Sequence, residues 1–277
     1  MIGIFDSGYG GLTIARAIHQ ALPEYSTIYL GDNARAPYGE RSDAEILEFT
    51  KQGVDTLFQR GCVLVILGCN TASAAALRIL QQQWLPQMWP DKRILGILVP
   101  TVEAISSLPH EHVSVLATAH TVATNAYERE IHKLNSNIQV TQHACTNLAG
   151  MIESFGADDE RVQESAKRCV DGFVSPPARG GAGVGGSIDA VLLGCTHYDF
   201  VADYIQSLLP PETVLIRQPN IVAKSLQDYL FRHPEIDSCM DKTGNRTYLT
   251  TGNLTEVSIK STRLLGEKTT FNNKGIL

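Results

Sequence analysis

The stretch LVILGCNTASA, Leu64 to Ala74, runs an aliphatic segment into Gly68 and Cys69 and then into small polar residues, and it has an echo in VLLGCTHY at 191–198. An apolar run with few polar interruptions, closed by a turn signal, suits a parallel strand covered on both faces. Similar runs recur along the chain as IGIF, TIYLGD, RILGIL, VSVLAT, NIQVTQ, TVLIRQ and RTYLTT, with helical patterns between them. Ser42 and Glu45 form a capping box that starts one such helix, Gly61 stops it, and Ile46, Phe49, Val54 and Leu57 fall on one of its faces. This alternation predicts an α/β architecture.

The echo extends beyond the two Gly-Cys turns. IGIFDSGYGGLTIARAI and VSVLATAHTVATNAYER each read as strand, polar loop and helix; TIYLGDNARAPYG and NIQVTQHACTNLAG each supply the next strand; the Gly-Cys strands follow in the same order. Three matched units predict two similar, doubly wound parallel-sheet domains related by pseudo-two-fold symmetry, with a cleft between them. The break is expected near ILVPT, 97–101. Residues 1–97 plus 213–277 then make the first domain, with the last segment packed back, and 98–212 make the second. SPPARGGAGVGGS, 175–187, cannot hold regular structure and reads as a flexible surface loop; a phosphate cradle is disfavoured because no Lys-Ser/Thr pair follows and the loop enters a strand rather than a helix.

With 277 residues, 43% of them hydrophobic and 19% charged, the chain has the composition of an ordinary globular protein. A formal charge of −6 without a Lys/Arg cluster argues against a nucleic-acid or membrane surface and leaves small molecules as the expected partners. No apolar run is long enough to span a membrane, and MIGIFDSG lacks the basic region of a leader, so the expected location is the cytoplasm. Six cysteines in a chain of this length do not make a disulfide framework, and none are spaced as CxxC, so no metal site is expected.

In parallel α/β sheets, ligands gather beyond the carboxyl ends of the strands. Asp6, Ser7, Asp32, Cys69, Asn70, Thr71, Thr118, Cys195, Thr196 and His197 all lie at such ends. Cys69 and Cys195 each precede a helical pattern, whose amino terminus favours a thiolate or an anionic ligand. A single strand-end cysteine is ordinarily core packing, and Cys62, Cys145, Cys169 and Cys239 are read that way. Asp6 and Ser7 could likewise only cap a turn, and His197 could be a buried structural imidazole. Two Gly-Cys turns aimed into one cleft ask for more. Inverting a stereocentre requires a proton to leave one face of a carbon and another to arrive at the opposite face, which two thiols can do without a cofactor. The pyridoxal phosphate route needs a Schiff-base lysine, and no lysine here closes a buried strand.

At these residues the chain resembles the glutamate racemases of the aspartate/glutamate racemase superfamily. FDSGYGGL (5–12), GDNARAPYG (31–39), CNTASA (69–74) and LGCTHY (193–198) match that family's four hallmark segments, and TYLTTGNLTEVSIKSTRLLG resembles its carboxyl-terminal strand and helix. The resemblance implies cofactor-independent interconversion of L- and D-glutamate, feeding D-glutamate into peptidoglycan, with Cys69 and Cys195 as the acid/base pair. It implies that Asp6 supports the first cysteine and that His197 with Glu153 supports the second. Ser7, Pro37, Tyr38, Gly39, Asn70, Thr71 and Thr196 are then expected to bind the amino acid, with Asp6 and His197 beside them and Thr118 and Thr121 also lining the site. A homodimer is left open. The chain departs from the family pattern at Asn33, where threonine is usual, at CTNLAGMIE (145–153), where a proline-containing aliphatic segment is usual, at Asp199, where proline is common, and at IRQP (216–219), which lacks an acidic residue after the isoleucine. A related superfamily racemase, such as an aspartate racemase, is the nearest alternative. A cleft that senses an amino acid without turnover is another, while a cysteine hydrolase leaves the second Gly-Cys turn unexplained.

Overall fold

A computed structural model describes residues 1–174 and 188–273. The glycine-rich stretch 175–187 read above as a loop lies outside the described residues. Among the described residues there are ten strands: β1 (Ile2–Asp6), β2 (Thr27–Gly31), β3 (Leu64–Leu67), β4 (Arg93–Gly96), β5 (His112–Ala117), β6 (Gln139–Ala144), β7 (Ala190–Leu193), β8 (Val214–Ile216), β9 (Arg246–Thr250) and β10 (Phe271–Asn272). The first half carries helices α1 (Gly11–Ala21), α2 (Asp43–Gln59), α3 (Asn70–Ile79) and α4 (Leu85–Met88). Helices α5 (Leu98–Ser106), α6 (Ala119–Ala123), α7 (Ala126–Leu134), α8 (Leu148–Phe155), α9 (Glu160–Val174) and α10 (Ala202–Leu208) follow. The chain closes with α11 (Gln218–Arg232), α12 (Pro234–Asp237) and α13 (Leu254–Leu265).

Two sheets form, one in the order β10-β9-β2-β1-β3-β4 and the other β6-β5-β7-β8. Every pairing in both is parallel. The order β2-β1-β3-β4 is repeated strand for strand as β6-β5-β7-β8, which is the internal repeat expressed as topology. Beside the central strands β1 and β5 the connection reverses direction, and a crevice opens at the carboxyl edge.

Strand residues alternate between two apolar cores. Ile2, Ile4, Leu64 and Ile66 pack on one face of the first sheet, and Phe5, Val65 and Leu67 on the other. Val113, Val115 and Leu192 oppose Leu116, Val191 and Leu193 in the same way in the second sheet. Each such buried aliphatic contributes about 1.5–3 kcal/mol. The capping box of α2 forms, with Ser42 Oγ accepting from Glu45 N and Glu45 Oε2 accepting from Ser42 N at 3.1 Å. Gly61 ends the helix at φ +88°, a conformation that glycine adopts without strain.

Ile97 packs into a core of the first sheet and Leu98 into a core of the second, so the chain crosses between halves at the start of α5. The return crossing comes one strand later than residue 212. Val214–Ile216 pairs with β7 and belongs to the second sheet, because its short apolar run completes that sheet's edge. Helix α11 then packs Val222, Ala223, Leu226 and Leu230 against Ile14 and Ile18 of α1, and β9 pairs with β2. The two-residue strand β10 is too short to show in the apolar pattern.

His19 on α1 is buried, with Nε2 at 2.7 Å from Thr27 Oγ1 and the ring edge-on to Tyr248. Burial, helped by the Arg246 charge, pushes its pKa down to about 4. In the unfolded chain a histidine titrates near 6.5, so between pH 6.5 and 4 the unfolded state binds a proton that the folded state refuses. Stability therefore falls as pH drops through that window, by on the order of 3 kcal/mol in full. Urea unfolding of His19→Gln across this range is expected to show a visibly flatter dependence on pH than the parent.

Candidate active site

The two Gly-Cys turns are built alike. Gly68 N donates to Phe5 O, and Gly194 N to Leu116 O, both at 2.7 Å, so each turn is hung from the last residues of the central strand. At Gly194 an added Cβ would lie 3.0 Å from Val115 and 3.1 Å from both Leu116 O and the Tyr127 ring, which is why the position is glycine. The next residue in each turn is the cysteine, and both are buried at the carboxyl end of their strand.

Beyond the cysteines the halves differ. Cys69 caps α3, its Sγ accepting from Ala72 N at 3.5 Å, so it sits at the positive end of a ten-residue helix. Ser7 Oγ lies 3.4 Å from the same sulfur. Cys195 precedes not the expected α-helix but a 3-10 turn, Thr196–Val201, and α10 begins only at Ala202. Here the polar support is a side chain: His197 Nδ1 lies 3.9 Å from Cys195 Sγ, and Nε2 lies 2.7 Å from Glu153 Oε1.

Both cysteines line one cleft of about 330 Å³ between the two sheets. Ser7, Pro37, Tyr38, Gly39, Asn70 and Thr71 line it from the first half; Thr118, Glu153, Thr196 and His197 line it from the second. Asp6 and Thr121 are brought to the site without lining it. Asp6 is fully buried with Oδ2 accepting from Gly8 N at 2.9 Å, and Thr121 Oγ1 accepts from Thr118 Oγ1 at 3.0 Å and lies 3.3 Å from Thr71 Oγ1. Asp32 also stands behind: its carboxylate accepts from Tyr38 OH at 2.6 Å, Arg35 Nε at 2.7 Å and Thr251 Oγ1 at 2.7 Å, fixing Tyr38 in the wall.

Burial pushes the Cys69 thiol up to about 12, and the Asp6 carboxylate adds to this, while the Ser7 hydroxyl and the Ala72 amide pull the other way. Burial raises Asp6 as well, against the His197 charge and the Gly8 amide. An Asp6 carboxyl drawn toward its neutral form lessens the repulsion that a thiolate on Cys69 meets. For His197, burial alone lowers the pKa, but the hydrogen bonds and charges of Cys195 and Glu153 outweigh it and hold the ring well above its ordinary value. The protonated ring is thereby favoured beside Cys195, with a carboxylate in contact on its far side.

Several lining groups escaped the sequence reading. Cys145, read as packing, forms part of the cleft wall with Thr146, Asn147 and Met151, so the departure at 145–153 lies in that wall. Two other departures satisfy each other: Arg217 Nε lies 2.7 Å from Asp199 Oδ1, outside the cleft. Asn33 accepts from Thr250 Oγ1 at 2.7 Å, also away from the cleft wall. Gln218 and Tyr127 reach Asn70 from behind. The only signal for Gln218 was a polar residue just past a strand end, the same grammar that marked Ser7 and Asn70.

The model of the Asp/Glu/Hydantoin racemase family matches residues 12–218. Over 269 residues the chain is 42% identical to a glutamate racemase of Phenylobacterium zucineum (strain HLK1), covering 91% of this chain and 92% of that protein. The chain belongs to the glutamate racemase family. Its fold superposes on a glutamate racemase isoform from Bacillus anthracis with a TM-score of 0.85 at 30% identity, covering 99% of this chain and 96% of that one. The glutamate racemase of Francisella tularensis, solved with D-glutamate, gives a TM-score of 0.83 at 28% identity, with coverage of 99% and 97%. The family thus shares the paired-sheet architecture that here brings two cysteines to one cleft.

The halves pack closely at Gly10, where an added Cβ would lie 2.3 Å from Thr196 Oγ1 and 2.7 Å from His197 Nδ1. Gly10→Ala must displace the turn that follows Cys195. A displacement on the order of 1 Å costs about 100-fold in turnover, so steady-state kinetics of Gly10→Ala are expected to show a loss of that size in kcat.

Proposed function

We infer that the chain interconverts L- and D-glutamate by a two-base proton transfer, with Cys69 and Cys195 as the bases on opposite faces of the α-carbon. The observation that carries this reading is one cleft lined by two equivalent Gly-Cys turns, one delivered by each sheet. One sulfur begins as thiolate and removes the α-proton, the electron pair delocalises into the carboxylate, and the opposite thiol delivers its proton from behind. Each turnover leaves the two sulfurs with exchanged protonation, ready for the opposite enantiomer.

Asp6 and Ser7 support Cys69, and His197 with Glu153 supports Cys195 as a counter-charge for its thiolate. Ser7, Tyr38, Gly39, Asn70, Thr71 and Thr196 offer hydroxyl, amide and backbone groups for the carboxylates and ammonium of the amino acid. The two halves act as domains that meet across the substrate. Among the described residues no helix is long and apolar enough to cross a membrane. A cytoplasmic enzyme making D-glutamate for peptidoglycan is consistent with that, and the activity needs nothing beyond the amino acid itself.

In deuterated water, L-glutamate is expected to yield D-glutamate carrying solvent deuterium at the α-carbon. Cys69→Ser and Cys195→Ser should each lower the rate by at least about 1,000-fold, the scale of losing a positioned acid or base, while calorimetry still detects glutamate binding. Equal binding by the parent and both variants with no turnover by any of them favours a sensor instead.

A further inference from the structure

Gln218, the first residue of α11, is buried where the chain returns from the second sheet to the first. Its amide faces that of Asn70 as a pair: Asn70 Nδ2 donates to Gln218 Oε1 at 2.7 Å, and Gln218 Nε2 donates to Asn70 Oδ1 at 3.1 Å. Gln218 Nε2 also reaches Thr101 Oγ1 at 3.0 Å and Tyr127 OH at 2.9 Å.

The direction of every bond in this cluster follows from one anchor. Thr101 Oγ1 spends its proton on the carbonyl of Ile97 at 2.7 Å, so toward Gln218 it can only accept. Tyr127 OH spends its proton on Asn70 Oδ1, and it too can only accept from Gln218. The side of Gln218 that meets both hydroxyls must therefore be its NH2 group, and the side that remains, its oxygen, must receive the Asn70 NH2 group. Gln218 Nε2 has two protons for three acceptors, so one proton is shared between neighbouring oxygens; Asn70 Oδ1 takes the Tyr127 proton and lies within reach of Gln218 Nε2, and one of the two Asn70 Nδ2 protons is used. Among the described residues no acceptor takes the second proton, and Asn70 lines the cleft directly after Cys69.

We propose that Gln218 is a positioning residue for the racemisation: through the paired amides it fixes the rotation of Asn70, so that an N–H, not a carbonyl, is offered to an anionic oxygen of the bound amino acid. The proposal rests on the racemase reading above. A glutamine that only fills core space has no reason to act through Asn70, and this difference is measurable.

The test is steady-state kinetics with glutamate for Gln218→Met, Asn70→Ala and the double variant. Gln218→Met keeps the length and loses the amide; it should raise KM roughly tenfold, the scale of one misdirected hydrogen bond, and change kcat by less than about threefold. Asn70→Ala should raise KM at least as much, and adding Gln218→Met to it should change KM no further. If Gln218→Met does not fold, Thr101→Val takes its place. It removes the anchoring acceptor, touches Asn70 only through Gln218, and should raise KM in the parent but not in the Asn70→Ala background. An unchanged KM, or single effects that multiply in the double variant, overturns the proposal while leaving the racemase reading intact. A parent protein with no glutamate turnover removes both.

Discussion

The hydrogen bond from a glycine amide to the second-to-last carbonyl of the central strand sets the site. It occurs once in each sheet, Gly68 to Phe5 and Gly194 to Leu116, at the same length. A parallel strand beside the switch point must end there, and the next residue is turned out of the sheet into the crevice. Repetition of this turn on two sheets that face each other converts a packing rule of parallel sheets into two sulfurs aimed at one volume. The cores beneath serve this turn. Alternation of Phe5, Val65 and Leu67 with Ile4, Leu64 and Ile66 holds β1 and β3 in the register that the glycine bond requires.

The repeat is one of backbone, and the surroundings of the two sulfurs have diverged. Cys69 has the amino terminus of α3 and the Ser7 hydroxyl, but also the buried Asp6 carboxyl, which opposes a thiolate. Cys195 begins only a 3-10 turn and has instead an imidazole whose pKa the hydrogen bonds and charges of Cys195 and Glu153 hold well above its ordinary value. A two-base mechanism needs one sulfur to be thiolate while the other is thiol. Two identical environments would give no preference between the two protonation states, whereas unlike neighbours break that tie. The pairing of Glu153 with His197 ties this arrangement to α8, whose last turn Arg263 of α13 holds by donating to Glu153 O at 2.9 Å.

Much of this was legible in the residues. Short apolar runs with few polar interruptions marked nine of the ten strands among the described residues, and the order in which polar loops and Gly-Cys turns repeat foreshadowed the doubled strand order. Residues at strand ends were found because position alone marks them: Ser7, Asn70, Thr118 and Thr196 all line the cleft. What stayed hidden depends on long-range contacts. β8 could have belonged to either sheet, since three apolar residues carry no record of their partner strand. The Arg217–Asp199 pair joined two separate departures from the family pattern that no local rule connects. Gln218 and Tyr127 are separated from Asn70 by 148 and 57 positions and approach it only once both sheets are in place.

A crystal structure of the protein with D-glutamate bound tests the opposed-sulfur geometry most directly. Sγ of Cys69 and Sγ of Cys195 are expected on opposite faces of the α-carbon, each about 3–3.5 Å from it or from its proton, as a reacting pair requires. Both sulfurs on the same face, or one of them beyond reach with an ordered water in its place, contradicts that geometry.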